Sequence, residues 1–174
     1  MFTEMDRAEI EVLEPFFFDP DLEASVRGLA KKTDISASSV SEKVKRLEER
    51  ELLGSKKVGP SKQITVGKKF RNAKRIWNVD QISNSGLVET LEQQLKPDAI
   101  ILFGSYEKGE DMKGSDIDVA LVNGRDDSVD LSTYEKHLKR EISLERVARA
   151  EEGDKGFRNS LANGTVLSGY LKVV

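Results

Sequence analysis

Two short motifs in the second half of the chain have the residue types and spacing that bind phosphate and a divalent cation. Asp116 and Asp118 are two positions apart beside an apolar run, so in a strand both carboxylates point to the same face. Adjacent carboxylates are costly unless a positive charge lies between them. Oxygen ligands without His or Cys favour Mg²⁺ or Mn²⁺. Gly104 lets a phosphate approach the backbone closely, and the N–H groups and hydroxyl at Ser105 can bind phosphate oxygens.

Two apolar runs must position these motifs. Residues 99–103 are continuously apolar, which predicts a strand buried on both faces that ends at Gly104. A second buried strand is predicted from Asp116 to Val122. The charged residues between the motifs, from Glu107 to Lys113, are interpreted as a loop with solvated lysines.

The two motifs together resemble the signature of the DNA polymerase β-type nucleotidyltransferase superfamily. The segments that carry the resemblance are residues 102–109 and 115–119, and they look most like the small prokaryotic minimal nucleotidyltransferases. The resemblance implies a mixed-sheet α/β domain that transfers a nucleoside monophosphate from a nucleoside triphosphate. It also implies that Asp116 and Asp118 bind two Mg²⁺ ions, and that Gly104, Ser105 and Ser115 contact the nucleotide.

The family has a third carboxylate on a following strand, and here the sequence departs from the family pattern. The corresponding strand is predicted at residues 141–145, and its central position is Ser143 rather than an acid. Glu141 and Glu145 share the face of Ser143 but are offset by about 6–7 Å along the strand. Glu145 is the predicted third catalytic residue, with an acceptor-activating site that is incomplete at Ser143.

The composition excludes several protein classes. The chain has 174 residues, a net charge of −3 and no cysteine, so it has no disulfide framework, thiolate metal site or thiol nucleophile. Its sequence has no apolar run of about 18 residues and no signal-peptide pattern, which predicts a cytoplasmic protein without a membrane span.

The modest net charge conceals a strongly basic stretch. Residues 43–75 contain 12 Lys and Arg but only three acids, whereas residues 81–174 contain 12 basic and 17 acidic residues. A local field of one sign matters more for phosphate binding than the average over the chain. The basic stretch could be a set of solvated helix faces or a nucleic-acid-binding surface.

The order of elements in the first half favours the second interpretation. Apolar spacing predicts a first helix from residue 6 that ends near Pro15–Pro20, and further helices at 22–32 and 37–51, with Ser36 as the N-cap of the third. A hairpin of strands 53–58 and 62–66 is predicted to follow. This is the order of a winged helix-turn-helix, with a module for docking protein as the alternative. The third helix and the hairpin would then bind double-stranded DNA. The predicted DNA-binding residues are Ser38, Ser39, Glu42, Lys45, Arg46, Lys56, Lys57 and Lys62.

The fold class predicted from these patterns is α+β, with two domains. A winged helix-turn-helix domain is expected at 1–67, a linker helix and joint at 68–84, and a small mixed-sheet α/β nucleotidyltransferase domain at 85–174. Within the joint, the helix is expected to end near Trp77. The whole chain resembles archaeal-type proteins that join a winged helix to such a domain.

Three functional hypotheses follow from the sequence. The first is a Mg²⁺-dependent nucleotidyltransferase with an attached DNA-binding domain. The second is a transcriptional regulator whose degenerate transferase domain senses nucleotide without turnover. The third is an antitoxin-like protein, because minimal nucleotidyltransferases are often paired with a small helical, toxin-like partner. A homodimer is a further expectation, since winged-helix proteins often dimerise on palindromic DNA.

Overall fold

The computed structural model describes residues 2–59, 61–149 and 152–171 of the sequence. The chain divides into two compact units, Met1–Lys74 and Arg75–Val174, called here the first and second units. Within the described residues, no helix combines the length and the hydropathy of a membrane-spanning segment.

The first unit begins with three helices. A capping box between Asp6 and Glu9 starts the first one, and its apolar face buries Phe16 and Phe17 completely. This helix continues through Pro15 and ends at Phe18, which lies within the predicted end region Pro15–Pro20. The helices are α1 (Arg7–Phe18), α2 (Val26–Thr33) and α3 (Ala37–Glu49).

A two-stranded antiparallel hairpin follows the helices. Its strands are β1 (Leu53–Val58) and β2 (Ser61–Val66), and the predicted turn at Pro60 lies outside the described residues. Ala24 forms a short bridge with Ile64, whose N–H donates to the Ala24 carbonyl at 2.8 Å. The predicted start of α2 at Leu22 was wrong, because Leu22 lies in a turn, with its N–H donating to the Asp19 carbonyl at 3.0 Å, and the helix begins after its N-cap Ser25.

The next helix, α4 (Phe70–Asn84), runs without interruption past the end that the sequence indicated. The prediction that it ends near Trp77 was wrong. Asn78 is fully buried within α4, so this polar residue belongs to the interior and does not mark a joint.

A four-stranded mixed sheet forms the second unit, in the order β5-β4-β3-β6. Strand β3 is antiparallel to β4 and β6, whereas β4 and β5 are parallel, so the predicted mixed sheet is confirmed. The strands are β3 (Ala99–Phe103), β4 (Ile117–Val122), β5 (Ile142–Val147) and β6 (Thr165–Gly169). The remaining helices are α5 (Leu87–Leu95), α6 (Gly104–Lys108), α7 (Ser132–Leu138) and α8 (Lys155–Ala162).

Both faces of the two central strands are buried, as their continuous apolar sequences require. On one face, Ile117, Val119 and Leu121 of β4 pack with the apolar side of α5. On the other face, Ala120 and Val122 pack in a cluster with Leu161 of α8. The alternation places the side chain of residue 118 on the face that carries Ala120.

Candidate active site

A sharp turn after β3 brings the Gly-Ser motif beside the first carboxylates. Phe103 pairs with Asp118 across the antiparallel ladder, so Gly104 lies immediately beyond this pair. Gly104 has φ = +78°, a left-handed backbone conformation that favours glycine. A Cβ atom at this position would lie 2.0 Å from Oδ2 of Asp118. Only glycine fits here, since the carboxylate occupies the space that any side chain would need.

Asp116 and Asp118 place two negative charges close together at the start of β4. Asp116 is exposed just before the strand, and Asp118 is half-buried as its second residue. Burial, and then the negative charges of Asp116 and Glu145, raise the pKa of Asp118 above its ordinary value. Among the described residues neither Asp116 nor Asp118 has an ion pair with Lys, Arg or His. The chemistry of this donor set fits a divalent cation, which would offset the repulsion.

The register of the parallel pair β4–β5 fixes where a third carboxylate could stand. Ser143 pairs with Asp118, and Glu145 pairs with Ala120, one step further along the same face. Glu141 lies beside Asp116, since its carbonyl accepts the N–H of Ile117 at 2.8 Å. No group of three His, Cys, Asp or Glu side chains in the described part of the chain is close enough to hold a metal ion. The residue of β5 that pairs with Asp118 is Ser143, so it provides a hydroxyl and not a third carboxylate.

The two serines predicted to contact nucleotide each lie next to one of the two motifs in the chain. Ser105 is in the first turn of α6, directly after Gly104. Ser115 is in a tight turn with Met112: its Oγ accepts the Met112 N–H at 2.9 Å, and its N–H donates to the Met112 carbonyl at 3.0 Å. The hydroxyl proton of Ser115 is therefore available for a further acceptor.

Helix α6 is held in place by an ion pair between Glu107 and Arg75 that the sequence did not indicate. Glu107 is buried within α6, although the sequence placed it in the loop between the motifs. Its Oε1 accepts hydrogen bonds from the guanidinium of Arg75 and, at 2.9 Å, from the hydroxyl of Thr165. Helix α6 is thus bound both to α4, through Arg75, and to β6, through Thr165.

A second buried network holds the segment that leads to Asp116. Asp111, in the loop between the motifs, is also buried, and it accepts hydrogen bonds from the guanidinium of Arg140 at 3.2 Å and from the amide of Asn78 at 2.8 Å. The same amide donates to the carbonyl of Tyr106 at 2.7 Å. Because these partners are about 30 residues apart in the chain, no local pattern in the sequence could have indicated them.

The predicted DNA-binding residues lie on the outer surfaces of α3 and the hairpin. Ser36 caps α3 by accepting the N–H of Ser39, and Ser38, Glu42, Lys45 and Arg46 are exposed. Within the hairpin, Lys57 pairs with Lys62 across the two strands. Like charges placed opposite each other destabilise a strand pair unless an anion lies near them.

Much of the basic charge in the first unit is already paired with acids. Arg46 contacts Glu42 at 2.8 Å, and Lys62 contacts Glu48 at 2.9 Å. Lys56 pairs with Glu23, which lies outside the basic stretch. The stretch is therefore less positive in the folded unit than its sequence indicates.

Comparison with known families bears on the second unit. Residues 86–167 match the family model described as Polymerase beta, Nucleotidyltransferase. This match supports the superfamily inferred from the motifs for the second unit. The matched segment runs from the beginning of α5 into β6 and includes both motifs of the nucleotidyltransferase domain.

Solved structures give only weak likenesses, and no curated protein matches the chain. A crystal structure of AF1382 from Archaeoglobus fulgidus is 18% identical, covers 47% of this chain and 93% of that chain, and has a TM-score of 0.41. A possible transcriptional regulator from Methanosarcina mazei is 21% identical, covers 52% of this chain and 79% of that chain, and has a TM-score of 0.35. Both TM-scores are below 0.5, so neither likeness bears on the function of the nucleotidyltransferase domain.

Proposed function

We propose that the nucleotidyltransferase domain transfers a nucleoside monophosphate from a nucleoside triphosphate to an acceptor hydroxyl, with Asp116 and Asp118 holding Mg²⁺. The observation that carries this proposal is the contact between Gly104 and the Asp118 carboxylate. It places an oxygen donor, which has no cationic side-chain partner among the described residues, directly beside the left-handed backbone that precedes Ser105.

Each motif has a distinct task in this proposal. Gly104 leaves room for the Asp118 carboxylate beside the backbone, and the hydroxyls of Ser105 and Ser115 donate hydrogen bonds to the triphosphate oxygens. Asp116 and Asp118 hold the cation at one edge of the sheet, so that the triphosphate and the acceptor meet there. When bound, Mg²⁺ neutralises charge on the triphosphate and polarises the acceptor hydroxyl.

Glu145 is the proposed third carboxylate. Its charge raises the pKa of Asp118, although it stands one residue pair beyond Ser143. In this role Glu145 accepts the proton of the acceptor hydroxyl.

Nucleotide binding by purified variants tests the transferase proposal. Calorimetry with ATP, GTP, CTP and UTP in the presence of Mg²⁺ should show binding of at least one triphosphate. Asp116→Ala and Asp118→Ala should each weaken it at least tenfold. The matched control is Asp126→Ala, since the Asp126 side chain is fully exposed to solvent. Unchanged affinity in the double variant D116A/D118A would contradict the assignment.

A second candidate function is favoured by Ser143. Because a hydroxyl stands beside Asp118, the domain would bind nucleotide and sense it without turnover, as a regulator or an antitoxin-like protein would. Incubation with each Mg²⁺–triphosphate separates the two candidates: release of pyrophosphate supports the transferase, and tight binding without release supports the sensor.

We further propose that the first unit is a winged helix-turn-helix that binds double-stranded DNA. Supporting this are the capped amphipathic helix α3, the hairpin with its Ala24 bridge, and the opposed lysines at 57 and 62. Fluorescence anisotropy with duplex DNA should show a steep salt dependence. Lys45→Ala and Lys57→Ala should each reduce that slope by about one unit, and a flat salt response would contradict the proposal.

A further inference from the structure

A pocket lined by polar and charged residues opens beside the first carboxylate of the candidate active site. It has a volume of about 470 Å³ and is formed by residues 114–116 before β4 and by residues of the segment 132–141, which includes α7 and the approach to β5. Asp116 is part of its lining, whereas Gly104, Ser105 and Asp118 are not. The pocket therefore shares Asp116 with the candidate active site but does not include the proposed phosphate-binding residues Gly104 and Ser105.

The walls of this pocket are held in place by bonds within the second unit. Arg140 is anchored by the buried ion pair with Asp111. Glu135 accepts the N–H of Ile142 at 3.1 Å through its Oε1. Lys139 ends α7 with φ = +55°, a conformation that is uncommon outside glycine and that turns the chain sharply at the pocket wall. The pocket is thus built before any ligand arrives.

The chemistry of the lining restricts what the pocket can hold. Apart from Gly114, every described residue that lines it has a polar or charged side chain. Nucleobases bind between apolar or aromatic side chains, and none is present among these residues. Lys136 and Lys139 are exposed at the end of α7 and add positive charge to a pocket that also contains Asp116 and Glu141. Such a mixture suits a small molecule with an anionic group and hydroxyls.

We propose that this pocket is the acceptor subsite, and that the acceptor is a small phosphorylated alcohol. Its phosphate would bind to Lys136 and Lys139, and its hydroxyl would lie at Asp116. This inference rests on the proposed transferase function and names its acceptor class. A pocket of this volume is within the range of small-molecule sites, whereas a polynucleotide end would need ring-stacking surfaces.

The group transfer that this arrangement supports is balanced. The acceptor oxygen forms a bond to the α-phosphorus of the nucleoside triphosphate, and the bond from that phosphorus to the bridging oxygen breaks. Pyrophosphate leaves with the electron pair. The hydroxyl proton passes to the carboxylate of Glu145, the third carboxylate proposed above.

Calorimetric titration of the full chain with ribose 5-phosphate and with ribose tests the subsite. We expect ribose 5-phosphate to bind at least tenfold more tightly than ribose. The double variant K136A/K139A should lose that difference, whereas Lys155→Ala should keep it, because Lys155 is an exposed lysine at the start of α8 and does not line the pocket. Thermal unfolding of each variant shows whether the fold is retained.

Three results would overturn the inference. They are equal binding of the two sugars, unchanged binding in K136A/K139A, and much tighter binding of a short oligonucleotide that displaces ribose 5-phosphate. Parallel titrations with Mg²⁺–ATP separate this failure from failure of the transferase itself. If the triphosphate binds and the sugar phosphate does not, only the acceptor subsite is wrong; if no triphosphate binds, the transferase proposal fails.

Discussion

The carboxylate of Asp118 fills the volume that a side chain at residue 104 would occupy, so Asp118 and glycine at residue 104 depend on each other. The left-handed backbone of Gly104 is the second reason for glycine at this position. The Gly-Ser and Asp-x-Asp motifs are thus one steric unit, although they are separated by a helix and a loop.

The first prediction concerns Gly104→Ala. A left-handed alanine costs about 1–2 kcal/mol, and its Cβ must also displace the Asp118 carboxylate. We expect affinity for Mg²⁺–triphosphate to fall at least tenfold in calorimetry. Gly59→Ala is the matched control, because Gly59 has φ = +57° and a Cβ atom added there would meet no other atom within 4 Å. Equal nucleotide affinity in wild type and G104A would show that this close contact has no role in binding.

The second prediction concerns Ser143. Because Ser143 pairs with Asp118 in the parallel ladder, Ser143→Asp adds a third carboxylate where one is missing. We expect S143D to bind Mn²⁺ about tenfold more tightly, as measured by electron paramagnetic resonance. Ser143→Asn keeps the size without the charge and should leave Mn²⁺ affinity near that of wild type. If S143D and S143N bind Mn²⁺ alike, the cation site does not lie at Asp118.

The third prediction concerns the buried pair Asp111 and Arg140, whose side chains are only 1% and 5% exposed. Removing one partner leaves an uncompensated buried charge, so Asp111→Ala should lower the free energy of unfolding by about 3–5 kcal/mol in urea denaturation. The pair Arg7 and Glu11 is exposed on α1, and Glu11→Ala should cost only about 0.3–0.5 kcal/mol. Similar losses for both variants would contradict a structural role specific to Asp111.

The fourth prediction concerns the acids that neutralise the hairpin. Glu23 pairs with Lys56, and Glu48 pairs with Lys62. Glu23→Gln and Glu48→Gln should release these lysines, so duplex DNA should bind more tightly, with a steeper dependence on salt in anisotropy titrations. Glu11→Gln serves as a control on a different helix. Weaker DNA binding by E23Q and E48Q would indicate that the ion pairs hold the lysines in the binding geometry.

Periodicity predicted the elements around the motifs because their burial is determined by local sequence. The strand at 99–103 has the observed bounds, and the first hairpin strand, 53–58, does too. The end of α4 was missed for the opposite reason. Asn78 looks like a polar break, but its amide is satisfied by Asp111 and the Tyr106 carbonyl, which are distant in sequence.

Some features of the candidate site also follow from local sequence, whereas others depend on residues that are distant in the chain. Alternation along one strand indicated that Asp116 and Asp118 share a face, and the alternate packing of Ile117, Val119 and Leu121 agrees with that pattern. The neighbour of Asp118 on β5, however, depends on the register between two strands, which no single strand encodes. The buried roles of Glu107 and Asp111 depend on arginines that are about 30 residues away.

The order of strands in the sheet has a consequence for biosynthesis. Strand β3, which leads into Gly104, lies between β4 and β6, and β6 begins only at Thr165. At a translation rate of about 5–20 residues per second, β3 has an open edge for roughly 3 to 12 s after its own synthesis. Throughout that interval Glu107 also lacks the hydroxyl of Thr165. The nascent chain therefore cannot assemble the complete site until almost all of the second unit has left the ribosome.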